Sequence, residues 1–381
     1  MVLKNKVLDF INSRAEKEFD PYYVYDSEVI RENCRIFKNM DVENKSIHFA
    51  TMANINPQFL GIVKEEKVNV FVNSIMHMQA AREVGYSGQE IIFTSSALTE
   101  KTMLVAHDYG VQVNVDSPNQ LALWMKLFPG EPIGIRCNIG DTVQPFSNHA
   151  GYFIGNESRL GFTREEIEEI GDKSIINGLH LYAGTDIFDV DYLISCYKEL
   201  IDISAAFPKL EYLNFGGGFG VSENGHNQFD ISKYNTRISE LMSEVSHRNG
   251  SNLRLILEPG RIIGGKAGFF VCNVTDVKKR ENNRLVGVNA SIVQFSRPLL
   301  YPDIANHPVM IIRDGVQLNT GSLFSTTIYG CSTYSRDLFS KMAQLPELKI
   351  GDTVVLGNAG SYSASSYTQF LGFPKPEEYF I

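Results

Sequence analysis

Eight short runs rich in β-branched and aromatic residues punctuate the first two-thirds of the chain, at residues 46–51, 68–74, 90–95, 111–116, 133–138, 178–183, 211–215 and 253–258. Helically periodic stretches such as 119–128 and 190–207 lie between them. Strand and helix in strict alternation are the pattern of a parallel sheet, because a parallel neighbour needs a crossover long enough to hold a helix. Eight such units predict an α/β fold of the (β/α)8 TIM-barrel type. The alternation stops after Glu258-Pro259-Gly260-Arg261, and strand-like runs at 268–277, 309–313 and 353–356 then follow one another with little helical periodicity. A second, mainly β domain is therefore expected, with the barrel over 27–263 and the β domain built from 1–26 and 264–381. Tyr22-Tyr23-Val24-Tyr25 reads as one more strand that could join either body.

At 381 residues, 43% hydrophobic and 21% charged, the chain has the composition of a globular enzyme-sized protein. A formal charge of -9 argues against a phosphate-backbone binder, so nucleic acid is not an expected partner. Cys34, Cys137, Cys196, Cys272 and Cys331 are scattered and form no C-x-x-C pair, which indicates neither a disulfide framework nor a metal site. With no apolar signal core and no apolar run long enough to span a bilayer, a cytoplasmic location without membrane contact is expected.

Barrel enzymes carry their chemistry on loops at the carboxyl ends of the strands. Asn54, Ser74, Asn138, the Gly184-Thr185-Asp186 turn, the Gly216-Gly217-Gly218 triplet and Glu258 all occupy that register. Each polar residue alone could equally cap a helix. The triplet lets backbone N–H groups approach an anion, and loops after strands seven and eight often bind phosphate; a tight turn is the other reading. Gly264-Gly265 adds to the phosphate reading.

The motifs Pro21-Tyr22-Tyr23-Val24-Tyr25-Asp26, Phe49-Ala50-Thr51-Met52-Ala53-Asn54, Gly178-Leu179-His180-Leu181-Tyr182-Ala183-Gly184-Thr185, Asn214-Phe215-Gly216-Gly217-Gly218 and Glu258-Pro259-Gly260-Arg261 occur in order. Arg297-Pro298-Leu299-Leu300-Tyr301 and Ala359-Gly360-Ser361-Tyr362 follow. Together they make the chain resemble the fold-type III pyridoxal-phosphate (PLP) decarboxylases, the family of diaminopimelate, ornithine and arginine decarboxylases with an alanine-racemase-like barrel. The resemblance implies PLP as cofactor, with its phosphate on Gly216, Gly217 and Gly218 aided by Thr185, Arg261 and Tyr362. Glu258 would face the pyridine nitrogen and Tyr182 the ring. It further implies substrate contacts from Arg297, Tyr301 and Arg336, and a homodimer whose segment 330–337 completes the partner's site.

The same resemblance exposes departures. The family's Schiff-base lysine corresponds to Met52, and its cysteine and acidic substrate-reading residue correspond to Thr333 and Tyr334. Phe71 and His77 stand where acidic residues are expected, and Tyr182 replaces a stacking histidine. An introduced replacement would explain Met52 alone, whereas the accompanying changes at Phe71, His77, Tyr182 and the Thr333-Tyr334 pair fit natural divergence. Lys266 is an amine beyond strand eight, read either as a substitute or as a solvated surface group. The expectation is a lyase of amino-acid metabolism acting on a carboxylate-bearing amino acid or conjugate, because Tyr334 removes the partner of a distal ammonium while Arg297 and Arg336 offer carboxylate-matching forks. The alternative is an inactive pseudoenzyme that binds PLP, a PLP adduct or a protein partner.

Overall fold

The computed structural model describes residues 2–14, 20–144, 153–222, 228–249, 252–302, 305, 307–319 and 321–381. The chain divides into two compact units, one made of Arg31–Val221 and Asn227–Ile262, the other of Met1–Ile30 and Ile263–Ile381 with a short piece at Ser222.

After strand β1 (Tyr22–Tyr25), the first unit supplies β2 (Lys45–Ala50), β3 (Asn69–Val72), β4 (Ile91–Thr94), β5 (Gln112–Val115), β6 (Ile133–Arg136), β7 (Ile176–His180), β8 (Tyr212–Asn214) and β9 (Arg254–Leu257). These eight, β2 to β9, close into a parallel barrel, β9 pairing back onto β2 with Ser46 opposite Ile256. Each strand ends one to three residues earlier than its apolar run in the sequence, because the last residues leave the ladder and turn across the barrel mouth. Helix starts are set by side-chain caps: Ser74 accepts from the His77 N–H, Ser117 from Gln120 ahead of a first-turn Pro118, and Asp189 from Asp191 and Tyr192.

The barrel interior is filled rather than open. Tyr212 of β8 lies across it and donates its hydroxyl to Asn114 Oδ1 at 2.6 Å, while Asn114 Nδ2 donates to Thr94 Oγ1 at 2.9 Å. Two glycines make the room: a Cβ on Gly178 would fall 1.7 Å from the Tyr212 ring, and one on Gly134 would fall 2.0 Å from its hydroxyl. Ile92, Ile256 and Phe71 pack around the same ring.

The second unit is a nine-stranded sheet running β13-β12-β16-β10-β11-β14-β15, with β1 branching from β10 and β17 pairing onto β1. Its later strands are β10 (Gly268–Lys279), β11 (Arg284–Val288), β12 (Val309–Arg313), β13 (Val316–Gln317), β14 (Phe324–Tyr329), β15 (Leu338–Leu345), β16 (Thr353–Leu356) and β17 (Glu377–Phe380). β1 is antiparallel to β10 and parallel to β17, which settles Tyr22–Tyr25 in the β unit. All four of its residues are buried, so both faces are covered and the alternation that marks a half-exposed strand is missing. Among the described residues no helix is long and apolar enough to cross a membrane.

Candidate active site

Met52 stands just beyond the carboxyl end of β2 and is half-buried. Its neighbour Thr51 is fully buried and anchors the turn: the N–H donates to Phe71 O at 3.0 Å, and the hydroxyl lies 3.0 Å from that same oxygen and 2.9 Å from His77 Nδ1. The same hydroxyl is 3.9 Å from Met52 Sδ. Position 52, Phe71 and His77 therefore share one corner of the mouth, and burial lowers the His77 pKa.

Glu258, one residue past β9, is 4% exposed. Asn214 Nδ2 donates to its Oε1 at 2.6 Å, and His180 Nε2 faces Oε2 at 3.4 Å. That second distance is longer than a formed hydrogen bond. Burial alone would raise the pKa of Glu258; His180, Asn214 and His48 outweigh it and hold the carboxyl below its ordinary value. Asn214 also accepts from the Gly216 N–H at 2.9 Å, and the Glu258 N–H donates to Gly216 O at 2.7 Å, so carboxylate and glycine loop are braced as one piece.

The triplet is packed to its limit. Gly216 and Gly218 have φ of 62° and 95°, and Cβ atoms at Gly216, Gly217 and Gly218 would meet Leu181 O at 2.6 Å, Glu258 O at 2.3 Å and Gly184 O at 2.3 Å. Ile187 N–H donates to Gly218 O and Gly220 N–H to Ile187 O, at 2.8 and 2.9 Å, which ties the loop after β8 to the loop after β7. In that neighbouring loop Thr185 is half-buried, and Asp186 forms an ion pair with Arg261 Nη1. Tyr182 is half-buried and meets Phe153 edge-on, with ring centroids 5.0 Å apart.

The barrel thus brings together Met52, Tyr182, Thr185, Gly216, Gly217, Gly218, Glu258 and Arg261. Three further polar residues at strand ends have local partners: Ser74 caps a helix, Asn54 accepts from the Asn56 N–H, and Asn138 bridges Gly140 and Gly155. Glu258 and Arg261, three residues apart, have different partners: His180 and Asn214 for the one, Asp186 for the other. In the sequence Asp186 is marked only as part of the turn after strand six, and His180 and Asn214 are given no role, although His180 shares the inward face with Tyr182 by the two-residue period of a strand.

The remaining candidates lie in the β unit. Arg297 is 3% exposed, with its guanidinium carbon 5.1 Å from the Tyr301 ring centroid. Thr333 and Arg336 are exposed on a loop held by buried Asp337, which accepts from Ser291 Oγ, the Ile292 N–H and the Ser332 N–H. Tyr334 meets Phe370 edge-on at 5.7 Å, and Tyr362 holds a left-handed φ of 54°.

A closed (β/α)8 barrel joined to a mixed β sheet is the architecture of the barrel decarboxylases. The chain matches the diaminopimelate decarboxylase of Helicobacter pylori, solved with L-lysine, at a TM-score of 0.85 and 24% identity, covering 97% of this chain and 94% of that one. It matches the lysine/ornithine decarboxylase of Vibrio vulnificus, solved with putrescine, at 0.82 and 20%, covering 100% and 99%. In sequence it is 27% identical to the diaminopimelate decarboxylase of Methanothermobacter thermautotrophicus over 388 residues, spanning 96% of this chain and 88% of that protein. The family model for the pyridoxal-dependent decarboxylase, pyridoxal binding domain, matches residues 27–265, and the chain belongs to that family. Its members use pyridoxal 5'-phosphate.

The residues present fit that cofactor in part. A glycine loop with no room for side chains suits a phosphate, and an ionised carboxylate fixed at the end of β9 suits a protonated ring nitrogen. A thioether at position 52 does not suit covalent attachment, since it has no nucleophilic nitrogen.

Proposed function

We propose that this protein holds PLP without a covalent bond at the barrel mouth and serves a carboxylate-bearing amino acid or amino-acid conjugate. The observation that carries the reading is the braced Glu258–Asn214–Gly216 unit beside a methionine. Bound PLP supplies an electron sink for the pair released at the substrate α-carbon. Gly216, Gly217, Gly218 and Thr185 bind the phosphate, Tyr182 covers the ring, and Glu258 holds the proton on the ring nitrogen. Arg297 and Arg336 read the extra carboxylate; Arg336 is exposed. Met52 adds no proton donor, so turnover is slow.

A second reading, a binding protein without turnover, is favoured by Met52 itself. The test is CO2 release from wild type and Met52→Lys, each loaded with PLP and offered ornithine, lysine, diaminopimelate and carboxylate-bearing diaminopropionate conjugates. Release by Met52→Lys that is greatest with an acid-bearing substrate supports the substrate class; release greatest with ornithine overturns it. Wild type inert on every substrate while still binding PLP would select the second reading.

A further inference from the structure

We propose that Asp186 sets the charge of the group this anion cradle accepts, by holding Arg261 in an ion pair that a dianionic phosphate has to break. The proposal rests on the reading that the glycine loop takes the cofactor phosphate. Loops after the seventh and eighth strands are where barrels bind phosphate, and here those loops carry Gly216–Gly218 and Arg261. Arg261 is the buried guanidinium of that corner, 6% exposed, and its Nη1 is engaged by Asp186 Oδ1.

Asp186 is no incidental surface carboxylate. It holds a φ of 52°, which L side chains rarely adopt, and its side chain is only 18% exposed. The next residue, Ile187, is bonded in both directions to the glycine loop, through Gly218 O and the Gly220 N–H. The carboxylate is thereby fixed against the same loop that would carry the anion. The ion pair offsets the charge of Arg261, so an incoming phosphate meets the backbone dipoles with a fixed negative charge beside it. Burial strengthens both effects, because screening by water is weak there. A cradle arranged in this way binds a dianion more weakly than the same cradle would without Asp186.

The experiment is equilibrium dialysis of wild type, Asp186→Asn and Asp186→Gly against PLP and, separately, against pyridoxal, which lacks the phosphate. Asparagine and glycine both tolerate positive φ, so either variant keeps the turn, and circular dichroism verifies the fold of each. Removing the fixed negative charge of Asp186 from beside the glycine loop and the Arg261 guanidinium is expected to tighten PLP binding about tenfold or more, and pyridoxal binding by less than about twofold. Equal or weaker PLP binding by both variants overturns the proposal, as does equal tightening of pyridoxal. A Gly217→Leu chain in the same series separates the two readings. Wild-type PLP binding abolished by Gly217→Leu but unmoved by Asp186→Asn sinks this proposal alone, whereas no PLP binding by any chain sinks the cradle with it.

Discussion

A carboxylate stripped of water stays ionised only where charge and hydrogen bonds replace its hydration. At Glu258 the replacements are the His180 ring and the Asn214 amide. Removing His180 leaves the buried Glu258 carboxylate with one polar partner fewer, so His180→Leu is expected to lower the denaturation midpoint, measured by urea unfolding at pH 7. His48, also buried, carries a distinct pH signature. Burial pushes its pKa down from 6.5 to about 4, opposed by a contact with Val70 O. A histidine whose folded pKa lies below its unfolded value stabilises the fold above the unfolded value and loses that contribution as pH falls toward the folded one. The loss is about 3 kcal/mol between pH 6.5 and 4, and His48→Gln is expected to flatten that part of the stability curve. Glu258, with a depressed pKa, adds a further loss at still lower pH. Met52→Lys is expected to give a visible absorbance band with PLP and borohydride labelling at residue 52, both absent from wild type. Residue chemistry of this kind was half legible: residue type and strand-end position pointed to Glu258 and the glycines, but pairings such as Arg261 with Asp186 depend on how two loops return.

The strands show where sequence pattern suffices. All eight barrel strands stand out as apolar runs because a parallel barrel buries both faces of each strand. In the β unit, β15 buries only Phe339 and Leu345 and carries Ser340, Lys341 and Gln344, so it offers no apolar run to recognise. β14, with Ser325, Thr326 and Thr327, is hidden for the same reason. The packing inside the barrel was out of reach, since nothing local says that Gly134 and Gly178 are small to admit Tyr212. That packing gives a sharp expectation. Gly178→Ala forces a methyl group into the Tyr212 ring and should destabilise by about 1–3 kcal/mol or more, whereas Gly61→Ala, in a helix with open space around it, should be neutral or stabilising by thermal melt.

At the scale of the whole molecule, the loop around Asp337 is the feature with the widest reach. We propose a homodimer in which this loop contributes to the site of a second copy, and sedimentation at micromolar concentration is expected to give twice the chain mass of 42.7 kDa. A monomer would leave Arg336 without its proposed role. Of the five cysteines, Cys34, Cys137, Cys196 and Cys272 are buried, and Cys331, on that same loop, is exposed. The chain therefore carries its own footprinting probe: a thiol reagent applied to the folded protein should modify one sulfur per chain. Protection of that sulfur at rising protein concentration would map association directly, without any engineered label.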